Sequence, residues 1–389
     1  MPILPTLRAA RPAVAAFAAM GMVWGTFAAI LPDLKSMLGT DETELGFLLL
    51  FTPLAAVTAM LFAPAIGGWM GRIALPVSTG LMALAFALPG QVQVLWLFPL
   101  AMMCCGAATG LTDVLMNART AQIEHQRGLH LMNLSHAAYS FGYAGAAIAT
   151  GLMRGMAWSP GLVMGVMAGV ALVTALFTIE RDGRIEGLHA PKDGSGGGLG
   201  LVPVIGGAMV LVAFLTENAA ENWSALHIEK TLGGSPEQGS MGPAAIALTM
   251  GFARLAGQGT AGRIGPFRLL KAGAVISAAG ALIAAAALSP TMAYAGFIVM
   301  GIGSSVIAPT AFSLVGRLGP DEARARAVAR ATLFGYFGYF FGPPSLGVIA
   351  GIFGLRSAFV FAATMLLLIL ILAPVMAAVA GRTGKPQRA

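Results

Sequence analysis

The sequence predicts an all-α membrane protein of twelve transmembrane helices in two pseudo-symmetric six-helix bundles. Three observations lead there. The chain is 57% hydrophobic and only 10% charged, where a soluble domain carries about 25% charged residues. Apolar runs near the length that crosses a bilayer recur from end to end. Basic residues concentrate in every second loop.

A chain with so few charges cannot cover a surface in water, so lipid is the solvent for most of it. Only helices or closed barrels satisfy every backbone group in hydrocarbon. The unbroken apolar run at 358–379 lacks the alternation of a barrel strand. Membrane helices also tolerate the 52 glycines and 22 prolines, because small residues let backbones approach. The net charge of +7 reads as one basic membrane face, and no nucleic-acid partner is expected. Cys104 and Cys105 are adjacent on a helix, point apart and cannot pair with each other. They have no metal-ligand spacing, and no metal is expected.

The twelve runs fall at 12–33, 45–68, 74–89, 94–118, 130–153, 159–179, 201–226, 241–261, 269–288, 292–316, 327–353 and 357–379. The first follows Arg8 and Arg11 and continues past Trp24 without a small-residue cleavage site, so it reads as a span and not a signal peptide. Twelve spans put both termini on one side. That side holds 19 of the 23 Lys and Arg residues, and only Lys35, Arg154, Lys230 and Arg356 lie opposite. The positive-inside rule makes the first side cytoplasmic and the expected location a bacterial inner membrane.

A polar stretch at 180–200, ending near Gly194-Ser195-Gly196-Gly197-Gly198, reads as a cytoplasmic linker. It divides the chain into bundles 1–179 and 201–389. The two echo each other. Gly71-Arg72-Ile73 after span two matches Gly262-Arg263-Ile264 after span eight, and Phe141-Gly142-Tyr143 in span five matches Phe337-Gly338-Tyr339 in span eleven. The offsets, 191 and 196, agree closely enough to indicate a six-plus-six duplication.

Twelve spans, a central linker and a basic turn after spans two and eight resemble the major facilitator superfamily over nearly the whole chain. The resemblance implies the major facilitator fold and a secondary transporter. The family's turn reads Gly-x-x-x-Asp-Arg, whereas Gly67 to Arg72 has Gly71 in the acid's place, and the second copy, Arg254 to Arg263, also lacks its acid. Two stretches are similar to a bacterial branch near the fucose-permease-like sugar porters. One is Asp113-Val114-Leu115-Met116-Asn117-Ala118 with Glu124 and His136 to Gly142. The other is Glu217 to Ala225.

An ionisable side chain inside a span is costly and marks a functional site. Asp113 lies deep in span four on a stripe with Thr109 and Asn117. Glu217 and Glu221 are one turn apart in span seven, beside Asn218, Asn222 and Trp223. Two such carboxylates in low dielectric resist joint ionisation, which makes one a candidate proton site; a wet outer mouth is the alternative reading. His136, Ser140 and Tyr143 share a face of span five with Tyr139 beside them. His136 either partners Asp113 as a proton group or is a hydrogen-bonded structural histidine. Asp33, Glu229 and Lys230 read as span-end residues in water or headgroups.

The resemblance implies that spans one, five, seven and eleven line a central cavity. Trp24, Asn117, Tyr139, Ser140, Tyr143, Asn218, Asn222, Trp223, Tyr336 and Tyr339 are therefore the substrate-binding candidates, a set that suits a polyol or another small polar solute. Arg72, Arg119, Glu124 and Arg263 are the cytoplasmic-gate candidates. No Lys or Arg lies at the centre of a span, which disfavours dianions. The expected function is proton-coupled symport of a neutral or cationic, sugar-like solute by a monomer, with H+ as driving ion and no cofactor. The alternative is proton-coupled efflux of drug-like compounds, disfavoured because Gly142-Tyr143-Ala144-Gly145-Ala146 in span five has no proline. No Ser-His-Asp set, His-Glu-x-x-His or P-loop is found, so an enzyme is not expected.

Overall fold

In the computed structural model the described residues are 3–129, 131–186, 188, 200–256, 264–318 and 324–382, and every regular element among them is a helix. In chain order the spans are Ile3–Leu38, Glu42–Leu49 with Phe51–Met70, Ala74–Ala85, Phe98–Arg127, Met132–Gly155 and Pro160–Ala175. Then come Val202–Leu226, Pro236–Ala256, Pro266–Ala286, Pro290–Leu318, Arg324–Phe353, and Leu355–Leu367 with Ile369–Arg382. Span two breaks after Leu49 because Pro53 has no N–H to give that carbonyl. Span seven ends in a π-helical turn, His227–Thr231.

Eight segments of the described chain are long and apolar enough to cross a bilayer, one of them, Glu42–Ala85, containing spans two and three. Spans five, six and eight are outside that set, span six because Pro160–Leu176 is short, and spans five and eight because each carries a polar stripe. The stripes are tolerable only because they face protein and not lipid. Outward, Leu61, Phe62, Trp96 and Leu288 are exposed. Such a belt would be a liability in water and is solvated by lipid tails. Span four runs to Arg127, nine residues past its expected end, so Arg119 and Glu124 lie on a polar extension. Cys105 is buried and donates to the Ala85 carbonyl at 3.3 Å, Cys104 is exposed, and both are free.

The duplication is visible in the packing. Apolar helices gain nothing from hydrophobic association in lipid, so close backbone contact holds them. A Cβ on Gly142 of span five would strike the Ala18 carbonyl of span one; a Cβ on Gly338 of span eleven would strike the Leu211 carbonyl of span seven. Gly106 of span four meets Thr52 of span two as Gly301 of span ten meets Ile246 of span eight. Spans one to six thus pack among themselves as spans seven to twelve do. The halves touch where span five meets span eight, span two meets span eleven, and span one meets spans seven and eight.

Candidate functional site

A cavity of about 450 Å³ lies between the halves, lined by spans one, two, four, five, seven, eight, ten and eleven. Asp113, Glu217 and Glu221 all face it. Asp113 is held from both halves: Asn117 donates to its Oδ1 at 3.1 Å and the Tyr336 hydroxyl donates to its Oδ2 at 3.2 Å. Glu217 is 6% exposed, with Arg254 Nη2 3.8 Å from its Oε1. Arg254 also donates to Ser140 Oγ at 3.4 Å, across the halves. Glu221, one turn on, has no hydrogen bond or ion pair among the described residues. Three carboxylates thus share the space with one guanidinium.

No Lys or Arg lies at the centre of a span, yet Arg254 brings a basic group to the cavity from a span end. It stands near the end of span eight, and its long stem carries the guanidinium into the cavity. Its place in the last turn of the helix hid it, because terminal arginines in a sequence read as loop residues.

Trp24, Asn117, Tyr139, Ser140, Asn218, Asn222, Tyr336 and Tyr339 line the cavity. Trp24 stands edge-on to Phe86 and Phe27, and Tyr339 stacks on Phe214 with ring centroids 4.7 Å apart. Tyr143 and Trp223 do not line it. Tyr143 packs past the cavity floor with Ala28, Ala29 and Ala244, where spans one, five and eight close together. Trp223 follows Asn222, and one residue of helical rotation turns it into the core of the second half. His136 lines the cavity but does not bond to Asp113; its ring meets Phe17 edge-on at 4.9 Å.

Beyond the cavity lining, at the end of the molecule away from the termini, lies an ion cluster. Arg154, at the end of span five, is fully buried. It donates to Asp33 through Nη2 at 2.6 Å and Nε at 2.8 Å, and to Glu229 through Nη1 at 2.7 Å and Nη2 at 2.9 Å. Nη1 also reaches the Ala29 carbonyl at 2.8 Å. Asp33 belongs to the same half and Glu229 to the other, so this clasp ties the halves at the end away from the termini. Asp33 and Glu229 are therefore not headgroup residues, as their span-end positions suggested, whereas Lys230 is exposed. The available signal was an arginine and two acids all at the same end of spans one, five and seven.

The gate candidates separate. Arg119 pairs with Glu180 at 2.9 Å and with Gln122 and the Asp182 carbonyl, on its own helix and at the start of the 180–200 stretch. Glu124 accepts from the backbone N–H groups of Leu131 and Met132, at 2.8 Å for the latter, and so closes the turn into span five. Neither crosses the seam. Arg72 is exposed in the turn after span two, where Gly71 has a φ of +61° that a β-carbon would strain. Arg263 lies outside the described residues.

The sequence profile of the Major Facilitator Superfamily matches residues 205–389. An uncharacterized MFS-type transporter of Yersinia pestis is 30% identical over 359 residues, covering 90% of this chain and 91% of that protein. Membrane protein MosC of Rhizobium meliloti is 25% identical over 355 residues, covering 88% and 83%. Among solved structures, the nucleoside transporter NupG has a TM-score of 0.70 at 16% identity, covering 96% of this chain and 98% of its own. A D-xylose–proton symporter has a TM-score of 0.69 at 16% identity, covering 94% and 96%. At these identities the structural likeness is one of fold. The sequence likeness extends over nine tenths of the chain, on the same twelve-helix frame, and its subject is a transporter and not an enzyme: the chain belongs to the major facilitator superfamily.

Proposed function

We propose that this secondary transporter carries a small neutral or cationic, sugar-like solute together with protons across the bacterial inner membrane. The observation that carries the reading is the pair Glu217 and Glu221 in a cavity between two halves that Arg154 ties together at the end away from the termini. Solute exchange at that end requires the halves 1–179 and 201–389 to rock apart, with 180–200 as the tether. The Arg154–Glu229 bonds then have to break, with the longer contacts of Arg154 Nη1 to the Pro236 carbonyl at 3.3 Å and Ser240 Oγ at 3.4 Å, whereas Asp33 moves with Arg154. Protonation of a cavity carboxylate would bias the two states, because each state hydrates it differently.

The excess of basic residues on the terminal face supports cytoplasmic termini. His136, Arg254, Phe312 and Thr332 line the cavity from helix ends nearest that face, which supports a cytoplasm-facing state. One copy encloses the whole cavity, which supports a monomer as the working unit. Arg254 removes the sequence argument against anions, yet three carboxylates against one guanidinium keep the balance unfavourable to them. Structural neighbours named for nucleosides and D-xylose support a polar solute of one or two rings. The motifs in spans four and seven that resemble the fucose-permease-like branch support a sugar-like one.

Proteoliposomes holding a pH-sensitive dye test the coupling. D-xylose, uridine and their amino-substituted relatives are added outside under an inward proton gradient. Solute-dependent acidification is expected with the native chain. It should be lost in the triple variant Asp113→Asn, Glu217→Gln, Glu221→Gln, while counterflow exchange survives. A triple variant that still concentrates solute sinks proton coupling through these groups.

A further inference from the structure

The charged groups of the cavity do not balance, and the imbalance has an address. Asp113 has two donors, Asn117 and Tyr336. Glu217 has the guanidinium of Arg254, which spends its remaining contact on Ser140. Glu221 has neither, and among the described residues no Lys and no second Arg lines the cavity. An independent observation points the same way. Asn218 is 7% exposed, lines the cavity, and its side-chain oxygen has no donor. Thr109 Oγ, also in the lining, has no partner either. Buried acceptors without donors are costly unless a ligand supplies the missing hydrogens.

We infer that the solute is an organic cation whose ammonium group docks on Glu221. This rests on the transport reading of the same cavity. When the halves close over a solute, an ionised Glu221 without a counter-charge would be stranded in low dielectric. An ammonium group brings that charge and up to three N–H donors, enough for Glu221 and for the neighbouring orphaned acceptor. Tyr139 and Tyr339 lie within electrostatic reach of Glu221 and line the same space. Their ring faces attract cations. Arg254 has the opposite part: it stands against Glu217, and with Asp113 held by two neutral donors, Glu221 is the carboxylate left without a bonded partner among the described residues.

The test works with a solute of unknown identity. A low-molecular-mass extract of bacterial cells is separated by ion exchange into cationic, neutral and anionic pools. Each is added to the purified full-length protein in nanodiscs, and the unfolding temperature is read. The cationic pool is expected to raise Tm by at least about 2 °C. Acetylating its amines with acetic anhydride should remove the rise, a control that needs no mutation, and NaCl or KCl alone should give none. Glu221→Gln should weaken the concentration dependence about tenfold or more. A rise from the acetylated pool, from sodium or potassium alone, or from the neutral pool instead of the cationic one overturns the assignment. A neutral-pool rise retained in Glu221→Gln does so while leaving the transport reading intact. No rise from any pool, with no pool entering proteoliposomes, removes both.

Discussion

Two clusters of ionised side chains occupy the seam between the halves, and they are built in opposite ways. At Arg154 the guanidinium is fully buried, bidentate to Asp33 and to Glu229, and bonded to a backbone carbonyl besides. In the cavity, Glu217 has one distant guanidinium at 3.8 Å and Glu221 has no hydrogen bond or ion pair among the described residues. Both clusters hold more acid than base. The difference is saturation. Desolvated charges cost several kcal/mol each and are retained only where bonds offset them. A saturated cluster therefore holds a conformation, and an unsaturated one waits for a proton or a solute. The contrast predicts that substitutions at the two clusters fail differently.

The largest effect belongs to Arg154. Arg154→Gln leaves Asp33 and Glu229 buried without their shared cation, a loss of about 3–5 kcal/mol. It should appear as a large fall in Tm of the detergent-purified protein. Arg154→Lys should recover only part of it, because a point charge cannot serve two carboxylates in fork geometry. A fall no greater than that of a cavity substitution would erase the distinction between the clusters.

Next in size is the tie across the seam. Glu229→Gln keeps the Arg154–Asp33 pair and weakens the only ion pair between the halves at this end among the described residues, by about 1.5–3 kcal/mol. Ser240, buried beside Arg154, reports it. In a background with Cys104 and Cys105 replaced, Ser240→Cys should react with an impermeant maleimide roughly tenfold faster or more when Glu229→Gln is added. Asp33→Asn should change that rate far less, since Asp33 and Arg154 are in one half. Equal acceleration by both would mean that the clasp does not hold the halves.

The cavity cluster was legible in the sequence because its residues announce themselves: Asp113, Glu217 and Glu221 sit in apolar runs where a charge has no bland reason to be. The clasp was not legible. Asp33, Arg154 and Glu229 fall at span ends, where charges are ordinary, and only the joining of three ends separated by 75 and 121 residues reveals them. Arg254 was hidden for the same reason, its stem being longer than its distance from the helix end. Tyr143 and Trp223 failed in the other direction. A helical stripe says which residues share a face, but not where along the helix the cavity stops or which way its flank turns. The fold itself was readable throughout, because hydropathy and backbone satisfaction act on each span alone, whereas the clasp depends on how spans meet.

Smaller still is the bond that crosses the cavity. Tyr336→Phe removes one of the two donors on Asp113 and should cost about 0.5–1.5 kcal/mol of stability. Asn117→Ala removes the other donor within the same helix and should cost a similar amount. Only the Tyr336 change severs a contact between halves, so only it should also shift labelling of cavity cysteines. A shift with Asn117→Ala of equal size would show that the effect runs through Asp113 itself and not through the seam.

The smallest expected effect carries the sharpest meaning. Glu221→Gln removes a charge that no described residue bonds, so only its longer-range attraction to Arg254 is lost with it. The repulsion from Glu217, one turn away, is relieved at the same time. Stability should stay within about 0.5 kcal/mol of the native chain or rise, while proton-linked transport is expected to fail. That combination, a silent change in Tm with a lost function, is what an unsaturated site produces and a structural ion pair does not. If Glu221→Gln unfolds the protein as Arg154→Gln should, then Glu221 has a partner in the folded chain, and the two clusters differ in position only.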